Sequence, residues 1–186
     1  MVFLETKRLL LRKFREEDFS GFCAWAMDEE TCRMMGRDLP ETEADARAAF
    51  DWLKDREERD YGQVLKESAQ LIGNLTVAPV PEHLAGQEAL AGKRGRSLSF
   101  SISREYRRQG LMREAVEAVI ARLFAEEGMD YVQCGYFQFN TASRYFQERL
   151  GFTRLAAMAL DIRGRQTAVV ENMLWRERFP ARPTAG

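Results

Sequence analysis

Residues 98–115, LSFSISREYRRQGLMREA, constrain this chain more than any other stretch. An apolar run at Leu98, Phe100 and Ile102 reads as a strand and leads into Arg107-Arg108-Gln109-Gly110. From Leu111 the apolar residues Met112, Ala115, Val116, Val119, Ile120 and Leu123 fall at helical spacing. A strand that ends in a glycine-bearing turn and opens a helix leaves several backbone N–H groups unpaired and pointing one way. Such an end is a cradle for a pyrophosphate. A second element, Asn140-Thr141-Ala142-Ser143 followed by Leu150-Gly151-Phe152, reads as its partner. Together they predict a ligand with phosphates at one end and a reactive group at the other.

The rest of the chain narrows the class. Its 186 residues suit one domain with a sizeable core, expected over 1–179, and a frayed tail over 180–186. A net charge of −1, with Lys and Arg dispersed, gives no reason to expect nucleic acid as a partner. The opening MVFLETKRLLLRKF has no long apolar stretch, so neither a signal peptide nor a membrane span is expected. Cys23, Cys32 and Cys134 are odd in number and lack metal-ligand spacing, which predicts reduced thiols in a cytoplasm. His83, the only histidine, falls in an expected loop, arguing against Ser/His or Cys/His catalysis and against a metal site.

Periodicity and capping signals give the order β-α-α-β-β-β-α-β-α-β-β, a mixed sheet with helices on both faces. Strands are expected at 8–14, 62–65, 71–77, 98–103, 131–137, 157–162 and 167–175. Helices are expected at 18–27, from the Thr42–Asp45 capping box to about 58, from 111 to 124, and from the Asn140 cap to about 150. Residues 79–97 hold Pro79, Pro81 and three glycines and read as a long loop, with a short helix near 87–91.

Arg107-Arg108-Gln109-Gly110-Leu111-Met112 resembles the Gln/Arg-x-x-Gly-x-Gly/Ala signature of the GNAT superfamily of N-acetyltransferases, with Met112 where Gly or Ala is usual. Asn140-x-x-Ser143 with Leu150-Gly151-Phe152 is similar to the branch that includes ribosomal-protein N-terminal acetyltransferases. The opening Leu4–Arg12 with Arg15–Asp18, and Gln70–Gly73, also resemble that branch. The resemblance covers nearly the whole chain. It implies a mostly antiparallel twisted sheet with one parallel, splayed pair, acetyl-CoA as co-substrate, no metal, and a small-molecule or peptide amine as acceptor.

It also implies residue roles. Backbone N–H groups from Arg108 to Met112 would hold the pyrophosphate, with Gln109, Gly110 and Leu111 between them, and Arg107 or Arg108 could pair with a phosphate. Ser101 and Ile102 would meet the pantetheine and the acetyl carbonyl through their backbone, Ile102 as oxyanion donor. Asn140 would contact pantetheine as well as cap its helix, and Ser143 could protonate the departing thiolate. Relatives carry a tyrosine seven residues after the asparagine and a glutamate five before it; here those positions are Gln147 and Gly135. The base is therefore unassigned, with Glu67 and Glu171 as candidates. Cys134 reads as a small buried residue rather than a nucleophile.

Two functions follow: an acetyltransferase acting on an amine by direct attack, or an acyl-CoA-binding sensor with little catalysis. A P-loop nucleotide binder fits poorly, because no Lys-Ser/Thr follows the glycine. The acids at Asp28-Glu29-Glu30, Glu41, Glu43 and Asp45 could attract a cationic acceptor or serve as helix-terminal and solvent charges. The state in solution is open between monomer and homodimer.

Overall fold

The computed structural model describes residues 2–55 and 59–180. These group into two compact units, one from residues 2–55, 59–77 and 99–119, the other from 78–98 and 120–180. Strand β5 (Gly95–Ile102) and helix α4 (Leu111–Ala125) each begin in one unit and end in the other.

In the first unit, β1 (Val2–Glu5), β2 (Leu9–Arg12), β3 (Arg59–Leu65) and β4 (Leu71–Ala78) are neighbours in that order, and β5 lies beside β4. The first four pair antiparallel, with Leu10 opposite Val64 and Tyr61 opposite Leu75. Helices α1 (Phe19–Ala26), α2 (Glu29–Met35) and α3 (Glu43–Asp55) complete it. Phe14, Phe22, Trp25, Phe50, Leu53, Val64 and Leu71 form its core. Phe22 meets Trp25 at 4.9 Å and Phe50 at 5.3 Å, both edge to face, the favoured geometry for aromatic pairs. A buried ion pair ties β2 to the start of α1: Arg12 Nη1 and Nη2 donate to Asp18 Oδ2 and Oδ1 at 2.6 and 2.9 Å. Asp18 Oδ2 also accepts from the Arg15 backbone N–H at 2.8 Å.

The Thr42–Asp45 box forms as its spacing predicts. Asp45 N–H donates to Thr42 Oγ1 at 3.2 Å, and Thr42 N–H to Asp45 Oδ2 at 2.9 Å. Residues 56–58, where this helix was expected to end, lie outside the described residues. Two elements differ from the expected order. The strand expected at 8–14 is the shorter β2, and both β1 and α2 are additional. Four and seven residues are too short for periodicity to register. α2 is set instead by its ends, with Asp28 as N-cap and Gly36 left-handed at φ 64°.

In the second unit, strand order is β5, β6 (Tyr131–Phe137), β8 (Arg165–Trp175) and β7 (Thr153–Ile162), with α5 (Thr141–Arg149). β5 and β6 run parallel over Gly95–Ser97 and Tyr131–Gln133. β6 with β8, and β8 with β7, run antiparallel. The sheet is thus mixed, mostly antiparallel with one parallel pair.

β5 starts at Gly95, before the expected 98, since its first rung depends on a distant ring. A Cβ at Gly95 would lie 2.2 Å from the Tyr131 ring, so only glycine lets the strand pass there. The expected 79–97 loop is accordingly shorter and holds two 3-10 turns, Glu82–Leu84 and Glu88–Leu90. The closing hairpin turns on Arg163 and Gly164 alone, at φ 56° and 76°, since Arg165 and Gln166 already pair with Ile162 and Asp161. The expected tail falls, from residue 181 onward, outside the described residues.

Candidate active site

The turn between β5 and α4 is built in the first unit. Arg108 and Gly110 are both left-handed, at φ 62° and 76°. The first helical bond runs from Glu114 N–H to Gly110 O at 3.0 Å, so the N–H groups of Leu111, Met112 and Arg113 precede the ladder. A Cβ at Gly110 would have only Arg8 Nη2 near it, at 3.5 Å, so the concave side of the turn is open.

Arg8 latches this turn. Its Nη1 donates to Gln109 O at 3.0 Å, and its backbone N–H and Nε each donate to the Glu114 carboxylate at 2.7 Å. Thr6 Oγ1 adds a donor to Glu114 at 2.6 Å, and Gln109 Nε2 bonds Glu105 O at 2.8 Å. Burial pushes the Glu114 carboxyl up, but the bonds from Thr6 and Arg8 outweigh it and hold the acid below its ordinary 4.5. A carboxyl depressed in the folded state contributes stability above its unfolded value and loses it as pH falls through the folded one. Glu114→Gln is therefore expected to flatten the drop in thermal midpoint below pH 4.5. An acid limb identical to that of the unsubstituted protein would show that another group controls it.

The two arginines of the motif differ. Arg107 is tied to α2, donating to Glu30 at 3.0 Å and to Thr31 Oγ1 at 2.8 Å, and its Nε reaches Ile102 O at 3.5 Å. Arg108 is exposed. Of the acids weighed as a lure for a cation, Asp28 caps α2, accepting from Thr31 N–H at 2.8 Å, and Glu30 also binds Arg104 at 3.0 Å. The hydrogen bonds of Thr31 and then the Arg104 and Arg107 charges outweigh burial and hold Asp28 below its ordinary range. Asp45 is spent in its capping box. Asp28 and Asp45 thus cap helices, and Glu30 pairs with two arginines.

Ser101 is buried, and its hydroxyl donates to Asn74 Oδ1 at 2.6 Å. Ser103 N–H bonds Ile72 O at 2.8 Å, holding the end of β5 to β4. Gly73 permits this approach, since a Cβ there would stand 2.2 Å from Ser101 O. Met112 is half-buried, with Gln63 Nε2 at 3.6 Å from its sulfur, so it packs on β3.

In the second unit, Asn140 caps α5 as expected, its Oδ1 accepting from Ser143 N–H at 3.0 Å. Ser143 Oγ accepts from Gln147 Nε2 at 3.0 Å. Gln147 is wholly buried; its Oε1 accepts from Asn172 Nδ2 at 3.0 Å, and its Nε2 reaches Gly135 O at 3.5 Å. Cys134 is buried, and burial, then the Glu171 charge, pushes its thiol up, so it stays protonated and inert.

Of the candidate bases, Glu67 sits in the exposed turn between β3 and β4. Glu171 is buried on β8 opposite Gly135 and binds His83 and Gln133. With 88 residues between the partners, no local spacing could have shown the His83–Glu171 contact. Among the described residues no group of three or more His, Cys, Asp or Glu could hold a metal ion, and no helix is long and apolar enough to cross a membrane.

No curated protein matches the chain by sequence. An acetyltransferase of the GNAT family from Bacillus anthracis is similar in structure, with 17% identity, 95% of this chain and 99% of that chain covered, and a TM-score of 0.79. The spermidine N-acetyltransferase of Vibrio cholerae in complex with CoA and spermine matches with 14% identity, 92% and 97% coverage and a TM-score of 0.70. The ribosomal-protein-S5-alanine acetyltransferase of Vibrio fischeri matches with 16% identity, 95% and 98% coverage and a TM-score of 0.69. At these identities the likeness shows the fold. The model of the acetyltransferase (GNAT) domain matches residues 8–153, from the arginine that latches the turn to the strand after α5, and the chain belongs to that family of acetyl-CoA-dependent acyltransferases.

Proposed function

We propose that this chain moves the acetyl group of acetyl-CoA to a primary amine, on a protein N-terminus or a small molecule, by direct attack in a ternary complex. The observation that carries this reading is the turn at Arg108–Gly110. Two left-handed residues and a latch from Arg8 aim the first N–H groups of α4 outward. The backbone N–H groups from Arg108 to Met112 hold the pyrophosphate, and the helix dipole adds to their field. Arg108 is the arginine for a phosphate, since Arg107 is engaged with Glu30.

The backbone of Ser101 and Ile102 pairs with the pantetheine and the acetyl carbonyl, and the Ile102 N–H steadies the oxyanion. Asn140 contacts the pantetheine. Ser143 protonates the thiolate. Its oxygen already accepts from Gln147, which leaves its own hydrogen to donate elsewhere. The acceptors named for two structural neighbours, spermine or spermidine and a ribosomal-protein alanine, support an amine.

The test is CoA release from acetyl-CoA with a panel of N-terminal peptides, polyamines and aminoglycosides. Turnover on one class is expected, falling by about tenfold or more in Gly110→Trp and Asn140→Ala, a loss of about 1.4 kcal/mol of transition-state stabilisation. Acetyl-CoA binding without turnover on any amine would favour a sensor. No binding at all would overturn the cradle.

A further inference from the structure

We propose that His83, oriented by Glu171, is the base that takes the proton from the acceptor amine; this rests on the transfer reaction proposed above. His83 lies in the 3-10 turn Glu82–Leu84. Its Nε2 stands 2.8 Å from Glu171 Oε1, and the two side chains are 29% and 3% exposed. The other carboxylate oxygen accepts from Gln133 Nε2. An ionised carboxylate can only accept, so Nε2 carries the ring hydrogen and the lone pair of the neutral imidazole resides on Nδ1. A base held in one tautomer by a buried third group, with one edge toward solvent, is the arrangement proton abstraction requires.

Three features separate this pair from an incidental buried contact. The β6 residue opposite Glu171 is Gly135, and a Cβ there would stand 2.6 Å from Glu171 Oε2. The carboxylate fills the volume a side chain at 135 would take. Next, Gln133 Oε1 is buried and has no hydrogen-bond partner among the described residues. An unsatisfied buried acceptor beside the carboxylate suits a ligand that brings N–H groups. Finally, Gly135 O is linked through Gln147 to Ser143. Neighbouring β8 side chains point to opposite faces. Glu171 bonds His83 on one face, and Asn172 bonds Gln147 on the other. The strand pair thereby separates a proton acceptor from the hydroxyl proposed to protonate the thiolate.

The step balances. The amine nitrogen forms a bond to the thioester carbon, and its proton goes to His83 Nδ1. The C–S bond breaks, its electron pair goes to sulfur, and the sulfur takes the Ser143 hydroxyl proton, which water then restores to Ser143. One proton thus moves in net from nitrogen to sulfur, with the imidazolium returning its own to water.

The experiment compares the full-length chain with His83→Gln, which keeps an N–H for Glu171, with His83→Ala, and with Glu171→Gln. The measurements are kcat, the amine KM, acetyl-CoA affinity and the pH profile of kcat. Titratable neighbours are Glu171 of β8, Cys134 of β6 within the Glu171 field, and Glu82, the preceding residue of the same turn. His83→Gln is expected to lower kcat by about 100-fold or more with acetyl-CoA affinity unchanged. It is also expected to erase the acid limb of that profile. Added imidazole should restore part of the rate to His83→Ala. Glu171→Gln, acting through the ring, should lower kcat and move the limb while leaving KM in place. A His83→Gln enzyme within about threefold of the parent kcat, or one that keeps the acid limb, overturns the assignment while parent turnover leaves the transferase reading standing. A parent chain that acetylates no amine overturns both.

Discussion

Asp18→Ala is expected to remove about 3–5 kcal/mol of folding stability, read as a lower urea midpoint at unchanged slope. The magnitude follows from what is left behind. Arg12 and Asp18 are nearly inaccessible, with side-chain exposures of 6% and 2%. Their bidentate contact and the Arg15 N–H satisfy charges that water no longer reaches. Deleting the carboxylate strands a guanidinium in the interior. Replacing both residues, as Arg12→Met with Asp18→Leu, removes the need for a partner and should cost far less. The exposed Arg15–Glu17 pair, at 3.5 Å, is the control and should matter little. A loss in Asp18→Ala no larger than that of the surface pair would show that the β2–α1 junction is hydrated.

Gly73→Ala is expected to damage both stability and cofactor affinity. The added Cβ would stand 2.2 Å from Ser101 O and 2.9 Å from Ile102 Cα. Both are backbone atoms, which cannot swing aside as a side-chain tip can. Overpacking of this kind costs about 1–3 kcal/mol. The displaced residues are also the ones proposed to pair with the pantetheine and the oxyanion. Acetyl-CoA affinity should therefore fall by about tenfold or more, equal to about 1.4 kcal/mol, as measured by titration calorimetry on the folded variant. Gly86→Ala, with nothing within 4 Å of its Cβ, should be silent in both measurements. An unchanged affinity in Gly73→Ala would detach Ser101 and Ile102 from the cofactor.

The parts legible in the sequence are those whose signals lie within one element. β6 occupies the expected 131–137, because a run of β-favouring residues starts just after the Gly128 stop. α5 follows from one asparagine before it and one glycine after it, and Asn140 does cap it. α4 and its glycine turn follow from apolar spacing. What escaped depends on residues brought together from far apart. Arg8 meets Glu114 across 106 positions, and His83 meets Glu171 across 88. Arg107 is drawn to Glu30 on a helix too short to be anticipated. No pattern in the chain announces such meetings, because side-chain chemistry at one position carries no address for its partner.

Gly135 and Glu171 carry a consequence for how this protein can change. The two positions share one volume, so their fates are joined although they stand on different strands. A side chain added at 135 pushes the Glu171 carboxylate away from its Gln133 and His83 partners, and an acid at 171 keeps them only while 135 stays bare. The effect of either substitution is thus set by its background rather than by its own chemistry. A descendant moving its carboxylate from one strand to the other passes through a form with two crowded acids or one with none, unless both positions change together.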